Sequence, residues 1–420
     1  MSDATALIDG LVANATQYVP KDDRLVSCES FDYDEDLPPR KLIPINRCKS
    51  YAQGFLSLTG ASGGTGKSSL SIVEELSLVT GRDLFLPDRP LLKCGRKRVW
   101  SMSLEDDKTE HRRRVIAAMR HYNIKREDMD GFYFVTYKRD SPISVAISGR
   151  DGFIVSPQVD DIKQIVRERG IEVMTVDPFV NTHDVAENDN SAMNRVADLW
   201  RSIAQECDVA VSLTHHIRKS NGLEVDVESL RGAVSLTAAA RLVRTLSPMS
   251  TQEAESFGIH EDRRRFYFWC NPSGKPNITP PATSRIWYHM ASVDLANGDD
   301  RWESDNVGVC ERWKAPDSLD GVTGGDVEEL ARRIGQASDE YLLTHCRESY
   351  QAGDTWIGHL IAEILEVDVD DDKGVARIKK VIAEWTKHDV LRKVSIEDKS
   401  RKKRPCLTLG KRAKISGDEP

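Results

Sequence analysis

The sequence lacks the features that would place the chain in a membrane or outside the cell. Its apolar runs are far shorter than the roughly 20 residues that a membrane-spanning helix needs. The opening stretch, MSDATALIDGLVANATQYVPKDDR, has neither the basic start nor the long apolar segment of a secretory signal. The eight cysteines occur singly, without a CxxC pair, which gives little support to a zinc site and suits a reducing compartment. These absences predict a cytoplasmic protein without a membrane partner.

An overall excess of positive charge is also missing. The chain has 59 Lys and Arg against 67 Asp and Glu, a net charge of −8, so it is not a basic nucleic-acid binder along its whole length. An apolar fraction of 39% and a charged fraction of 30% are ordinary for a globular protein. With 420 residues, the chain is long enough for about two or three domains.

What the sequence does contain is a glycine-rich segment, LTGASGGTGKSS, from Leu58 to Ser69. The apolar run at 54–60 predicts a buried strand, and KSSLSIVEELSLVTG after the glycines has helical spacing and ends at Gly81. A strand, a glycine-rich loop and a helix in this order predict a P-loop, whose backbone N–H groups surround phosphates. The alternative is a glycine-rich turn with a chance GKS. Ala61 stands where the strict pattern has glycine.

The P-loop interpretation assigns roles to individual side chains. Lys67 would reach the β- and γ-phosphates of a nucleotide, and the hydroxyl of Ser68 would bind Mg²⁺. The predicted nucleotide-binding residues are Ala61, Ser62, Gly63, Gly64, Thr65, Gly66, Lys67, Ser68 and Ser69.

Acidic residues follow two later strands. Glu105, Asp106 and Asp107 follow RKRVWSMSL, and a carboxylate at the tip of a strand beside the P-loop strand could activate the attacking water. Glu105 is the first choice, although the three acids could equally form the first turn of the helix KTEHRRRVIAAMRHY. Asp177 ends the apolar run that starts at Ile171, a Walker B pattern in which the carboxylate holds Mg²⁺ through water.

Two histidines end the next predicted strand, which starts at Val209. A polar side chain at this strand tip could sense the γ-phosphate, and either His215 or His216 could supply it. Because adjacent residues of a strand face opposite sides, joint binding of one metal ion is disfavoured. A polar loop at 217–230 follows, and Arg231 opens a helix rich in small residues.

The order of these parts favours a RecA-like plan. The predicted fold is α/β, with a mainly parallel P-loop NTPase sheet, an antiparallel edge hairpin formed by RRRFYFWCNPSGKPN and SRIWYHM, and a small C-terminal α+β domain. The segments VWSMSLEDDKTEHRRRVIAAMRHY, MTVDPF, LTHHIRKS and SLRGAVSLTAAARLVRTL resemble the RepA-type branch of RecA-like AAA ATPases, which includes the hexameric replicative helicase of broad-host-range plasmids. The resemblance covers roughly residues 40–295.

This resemblance implies a cofactor set, an assembly and catalytic residues. ATP and Mg²⁺ would bind between the subunits of a homo-oligomeric ring, expected to be a hexamer. Glu105 would be the catalytic base, Asp177 the Walker B carboxylate, and His216 or His215 the histidine before a mobile loop. Arg231 would serve the neighbouring subunit as an arginine finger.

The same resemblance implies a DNA partner in the ring. Loops 183–191 and 217–230 would face the ring centre, where Arg218 and Lys219 would contact single-stranded DNA. The predicted function is an ATP-driven motor on DNA, a replicative helicase or helicase-like protein of a plasmid, phage or other mobile element. The alternatives are a DNA-bound regulatory or loader ATPase without unwinding activity, and an ATPase switch that does not use nucleic acid.

The C-terminal region has a strong local positive charge. Lys373–Lys414 contains 15 Lys and Arg against 4 Asp and Glu, and its pattern of helices followed by a hairpin predicts a winged-helix-like domain. Arg401, Lys402, Lys403 and Arg404 in the hairpin turn would contact the phosphates of duplex DNA, unless this turn is a solvated tip or docks a protein. The predicted divisions are an arm at 1–40, the ATPase domain at 41–315, a linker at 316–326, the winged-helix-like domain at 327–412 and a tail at 413–420.

Overall fold

A computed structural model of the protein describes residues 37–46, 48–86, 91–149, 152–217, 234–257, 259–280, 285–315 and 322–413. These residues group into two compact units. The first contains the described residues up to Met249 together with Arg265–Trp313, and the second contains Ser250–Arg264 together with the described residues from Lys314 onward. Within the described part of the chain, no helix is long and apolar enough to cross a membrane.

The first unit is built mainly from strands, with helices between them. In chain order its elements are β1 (Leu42–Ile45), β2 (Cys48–Ala52), β3 (Leu56–Ala61), α1 (Lys67–Thr80), β4 (Val99–Ser103), α2 (Lys108–His121), β5 (Tyr133–Tyr137), β6 (Ala146–Gly149), β7 (Gly152–Val155), α3 (Gln158–Arg169), β8 (Val173–Asp177), β9 (His183–Asp184), α4 (Asn190–Glu206), β10 (Ala210–His216), α5 (Val234–Ala239), β11 (Leu242–Pro248), β12 (Tyr267–Pro276), β13 (Ile286–Asp294) and β14 (Asn306–Arg312).

Nine of these strands form one sheet in the order β14-β13-β12-β11-β3-β10-β8-β4-β5. The strands from β11 to β5 run parallel, whereas β12, β13 and β14 add an antiparallel edge. Every residue of β3 and β4 is buried, as expected for a parallel sheet covered on both faces. This arrangement confirms the predicted α/β fold with a mainly parallel sheet and an antiparallel edge hairpin. The third edge strand, β14, was not predicted.

One sequence-based expectation about the strand order is wrong. The strand that precedes Glu105, β4, does not lie beside the P-loop strand, because β10 and β8 separate it from β3. Chain succession does not specify neighbours in a parallel sheet, since the helix that joins two strands can carry the chain past other positions. Glu105 nevertheless reaches the site, for the reason given next.

The carboxyl ends of the central parallel strands meet at one edge of the sheet. Ala61 of β3 pairs with His216 of β10, and Asp177 of β8 pairs with Ser103 of β4. The residues that directly follow β3 and β4 are therefore close to the ends of β8 and β10. In open parallel sheets this edge is where ligands bind.

Helix α1 follows the glycine-rich loop and is held by a buried ion pair. Glu74 of α1 and Arg244 of β11 form two parallel hydrogen bonds, with N–O distances of 2.5 Å and 2.6 Å. Arg244 Nε also donates to Thr59 Oγ1 of β3 at 2.8 Å, and the Tyr51 hydroxyl donates to Glu74 Oε2 at 2.7 Å. Because both charged groups are almost completely buried, this pair ties α1 firmly to β3 and β11.

The neighbouring Glu75 ties α1 to the other half of the sheet. Its carboxylate accepts hydrogen bonds from Thr175 of β8 at 2.5 Å, from Tyr133 of β5 at 2.8 Å and from Ser101 of β4 at 3.2 Å. Burial raises the pKa of Glu75 to about 7, although these hydroxyls oppose the shift. The two glutamates therefore position α1 against strands on both sides of β3.

The second unit contains short helices followed by a hairpin. Its elements are α6 (Thr251–Ser256), α7 (Glu261–Arg264), α8 (Gly324–Ile334), α9 (Asp339–His345), α10 (Ile357–Ile364), α11 (Asp372–Lys387), β15 (Leu391–Glu397) and β16 (Lys403–Leu409). The apolar face predicted for α11 is buried at all five positions, Val375, Ile378, Val381, Ile382 and Trp385. The helices and the hairpin were predicted, but α8–α11 make one helix more than expected.

The segment Ser250–Arg264, which joins β11 to β12 along the chain, groups with the second unit. Its helix α6 starts at a capping box formed by Ser250 and Glu253, and it contacts α11. The ammonium of Lys380 in α11 lies 4.5 Å from the centre of the Phe257 ring. The sequence analysis had placed this segment within 41–315, because nothing in its composition marks contacts with residues more than 100 positions away.

Candidate active site

The loop between β3 and α1 has the backbone that its glycines predict. Gly64 and Gly66 have positive φ angles of 78° and 102°, a conformation that favours glycine. A Cβ on Gly66 would also lie 2.9 Å from Cε1 of Phe268. The hydroxyl of Thr65 donates to the carbonyl oxygen of Ser62 at 2.9 Å, which holds the loop in its turn. Substitution of Gly66 would therefore both strain the loop and disturb its packing.

Lys67, the first residue of α1, points its ammonium into the space enclosed by this loop. Its Nζ lies 3.5 Å from the carbonyl oxygen of Ser62 and 3.2 Å from Nδ1 of His216. Burial lowers the pKa of Lys67, and the nearby carboxylates of Asp177 and Glu105 oppose that shift. A cation held beside free backbone N–H groups is suited to bind phosphate.

Ser68 and Asp177 form a second contact of the site. The Ser68 hydroxyl donates to Asp177 Oδ2 at 2.6 Å. The other oxygen, Asp177 Oδ1, is buried and has no hydrogen-bond partner among the described residues. Burial raises the pKa of Asp177, while the bond from Ser68 and the charge of Lys67 lower it. A hydroxyl beside a carboxylate with an unpartnered oxygen fits Mg²⁺, which prefers oxygen ligands.

The three acids after β4 have different surroundings. Asp107 caps α2 by accepting from the N–H groups of Thr109 and Glu110, so the helix-start interpretation is correct for this residue. Asp106 forms an ion pair with Arg114, with an N–O distance of 3.1 Å. Glu105 has neither role, and its Oε2 lies 3.5 Å from Nε2 of His216.

The two histidines of β10 face different environments. His216 stands between Lys67 and Glu105, as the distances above show. The ring of His215 instead lies 6.5 Å from that of Phe179, and its Nδ1 is buried without a hydrogen-bond partner among the described residues. Burial lowers the pKa of His215. Of the two candidates, His216 therefore faces the P-loop lysine.

These groups surround one open cavity of about 450 Å³. Sequence reasoning missed the wall opposite the loop, which comes from β13 and β14, because no motif marks those short strands. The lining residues are Gly63, Gly64, Gly66, Lys67, Ser68, Ser69, Glu105, Asp106, Glu110, Arg114, His216, Met290, Asn306, Val307 and Gly308.

Comparison with known proteins agrees with this geometry. Residues 29–222 match the family model described as AAA domain. The chain contains an AAA-type ATPase domain. A solved structure whose title describes an ATPase domain is similar over 57% of this chain and 82% of that chain, with 13% sequence identity and a TM-score of 0.40. A likeness at this level says nothing about the substrate or partner of the ATPase domain.

Three predicted functional residues of the ATPase domain lie outside the described part of the chain. Arg218 and Lys219 follow β10, and Arg231 precedes α5. Of the two predicted ring-centre loops, 183–191 is described and begins with β9, whereas 217–230 is described only at Ile217.

The second unit places the predicted DNA-contacting residues at the turn between β15 and β16. Asp398 organises this turn, because its carboxylate accepts from the N–H groups of Ser400 and Lys402 and pairs with Arg404 Nε at 2.8 Å. Arg404 is therefore already occupied. Among the described residues, Lys402 and Lys403 have no carboxylate partner and are exposed.

Proposed function

We propose that this chain is an ATP-hydrolysing motor of the RepA type that acts on DNA as a homo-oligomeric ring, with a hexamer as the expected state. The observation that supports it best is the convergence of Lys67, Ser68, Asp177 and Glu105 on one cavity. These residues come from three strand ends and one helix start, and together they supply a cation, a metal-binding pair and a base.

Phosphate binding falls to the loop and to Lys67. The N–H groups of the glycine-rich loop would surround the β-phosphate, while the ammonium of Lys67 would move from His216 Nδ1 to the β- and γ-phosphate oxygens. Because Lys67 is desolvated in this position, its charge acts strongly on the nearby phosphoryl group.

Ser68 and Asp177 would hold Mg²⁺, the Ser68 hydroxyl directly and Asp177 through water. When bound, Mg²⁺ neutralises charge on the β- and γ-phosphates. The unpartnered Oδ1 of Asp177 would then accept a hydrogen bond from a metal-bound water.

Glu105 is the proposed general base. Its carboxylate would accept a proton from the water that attacks the γ-phosphate. His216 lies between Glu105 and Lys67, so it is proposed to orient the base and to respond to the γ-phosphate when Lys67 moves. Asp106 is less suited to this role, since Arg114 already neutralises it.

Arg231 is proposed to act on the ATP of the neighbouring subunit. The described residues of the cavity provide Lys67 and one arginine, Arg114, and that arginine is paired with Asp106. A second free cation is thus expected from elsewhere, and arginine fingers contribute roughly 10³–10⁵-fold in rate. Mixing Arg231→Ala with Lys67→Ala subunits should restore part of the activity, because some interfaces then combine an intact loop with an intact finger. Co-assembly without any recovered activity would argue for action within one subunit.

DNA is proposed to contact both units. Arg218 and Lys219 would bind a single strand in the ring centre, and Lys402 and Lys403 would bind duplex phosphates at the hairpin of the second unit. The excess of 15 basic over 4 acidic residues in Lys373–Lys414 supports the second contact.

The experiment that tests the function measures ATP turnover by the full chain with and without single-stranded DNA, together with strand displacement on a forked duplex. Lys67→Ala is the control without turnover. The motor should hydrolyse ATP faster with DNA and displace the strand. DNA binding without displacement would indicate a regulatory or loader ATPase, and turnover that ignores DNA would indicate a switch. Absence of ATP hydrolysis would contradict the proposal.

A further inference from the structure

Strand β14 forms the outer edge of the sheet and pairs only with β13. In an antiparallel ladder, alternate residues direct their backbone groups toward the partner strand and away from it. The odd-numbered residues that flank β14 bond to the neighbouring strand: the N–H of Leu295 donates to the carbonyl of Asp305, and the N–H of Trp313 donates to the carbonyl of Trp287. The even-numbered residues of β14 therefore direct their backbone N–H and C=O groups away from the sheet.

Part of this outward edge is already occupied. The Gly308 carbonyl accepts from Ser69 Oγ at 3.2 Å, and the Cys310 N–H donates to the same oxygen at 2.8 Å. The Cys310 carbonyl accepts from the Tyr122 hydroxyl at 2.7 Å. Ser69 directly follows Ser68 of the P-loop, so these bonds join β14 to the first turn of α1.

Two outward groups lie next to each other and line the cavity. They are the C=O of Asn306 and the N–H of Gly308, and no hydrogen bond joins either to another described residue. An acceptor and a donor two residues apart on one strand edge lie side by side and point the same way. Gly308 leaves this edge open, since a Cβ there would come within 2.9 Å of Met290 Cε.

The side chains at this end of the cavity suit a planar, uncharged ring. Met290 lies between Gly66 and Gly308, and Val307 lies beside it on the same wall. The thioether of methionine makes favourable contacts with aromatic rings. No unpaired cation lies at this end among the described lining residues, because Lys67 is at the loop and Arg114 pairs with Asp106.

We propose that the edge of β14 at Asn306 and Gly308 is the base-binding part of the nucleotide site and makes it selective for adenine. The Asn306 carbonyl would accept from the amino group of adenine, and the Gly308 N–H would donate to ring nitrogen N1. Guanine presents an oxygen and an N–H at these positions, so both contacts would be reversed. This proposal rests on the proposed function, because it places the base of the nucleotide whose phosphates bind the loop.

Calorimetric titration of the full chain with ADP, GDP and purine riboside 5′-diphosphate tests the proposal. Purine riboside lacks the amino group, so it should bind about tenfold more weakly than ADP, the loss of one hydrogen bond. GDP reverses both bonds and should bind roughly 10²-fold more weakly. Equal binding of ADP and GDP would overturn the adenine subsite and leave the phosphate site intact. Failure to bind any of these nucleotides would overturn the proposed function as well.

A pair of variants tests the named backbone groups. Gly308→Pro removes the outward N–H, which is not part of the ladder with β13, and should reduce the preference for ADP over GDP by about tenfold. Gly308→Ala is the matched control, because it adds the same Cβ against Met290 and keeps the N–H. An unchanged preference in Gly308→Pro, or the same loss in Gly308→Ala, would argue against the Gly308 contact.

Discussion

The buried carboxylate of Glu75 should make the stability of the ATPase domain depend on pH near neutrality. Burial raises the pKa of Glu75 from its ordinary value of 4.5 to about 7. At about 1.4 kcal/mol for each pH unit, this difference corresponds to about 3 kcal/mol in the free energy of unfolding. The folded state binds the proton more tightly than the unfolded state. The contribution is therefore complete below pH 4.5 and is lost as the pH rises through about 7.

The variant Glu75→Gln isolates this effect because its side chain cannot ionise. Its stability relative to wild type should rise by most of that difference between about pH 5 and about pH 8. The other titratable groups that contact this network do not interfere, since burial lowers the pKa of His111 to about 4 and raises that of Tyr133 well above 10.

Urea denaturation followed by tryptophan fluorescence is the appropriate assay, because six of the eight tryptophans belong to the first unit. Glu303→Gln, at an exposed glutamate of the same unit, is the control and should give a curve parallel to wild type. If Glu75→Gln also parallels wild type over this pH range, Glu75 stays ionised when folded and the argument from burial is wrong.

Three further predictions concern other contacts. Arg244→Met should lower the free energy of unfolding by about 3–5 kcal/mol in urea denaturation, because Glu74 is left buried without its partner, and Glu74→Leu in the same chain should recover most of the loss. Asp177→Asn should remove the gain in ADP affinity that Mg²⁺ provides, measured by calorimetry with and without the metal; a persisting gain would exclude this metal site. The double variant Lys402→Ala, Lys403→Ala should reduce the slope of log affinity for duplex DNA against log salt by about 2, and an unchanged slope would place the contacts elsewhere.

The parts of the fold that depend on local pattern could be predicted from the sequence. Helix α4 occupies Asn190–Glu206 as predicted, and α1 ends at Gly81, whose φ of 68° satisfies the last turn. The cavity side of the site was also predictable, because the carboxyl ends of parallel strands meet at one edge.

Other features could not be predicted because they depend on partners far away in the sequence. The position of β4 in the sheet was wrong for this reason, since strand order is not written in the chain order. Adjacent glutamates usually indicate an exposed helix face, yet Glu74 and Glu75 are buried because Arg244 and Thr175 meet them from β11 and β8. The cavity wall at Asn306–Gly308 lies in a short strand without a motif.

The most direct test of the account is ATP turnover by Glu105→Gln at saturating ATP and Mg²⁺, with ATP affinity measured in parallel. The central claim predicts unchanged binding and a rate lower by roughly 10²–10⁴-fold, the contribution of a general base. Asp107→Asn is the matched control, since it keeps an oxygen to cap α2 and should turn over normally. Wild-type turnover in Glu105→Gln, combined with a lost rate in Asp106→Asn, would contradict the assignment of Glu105 as the base.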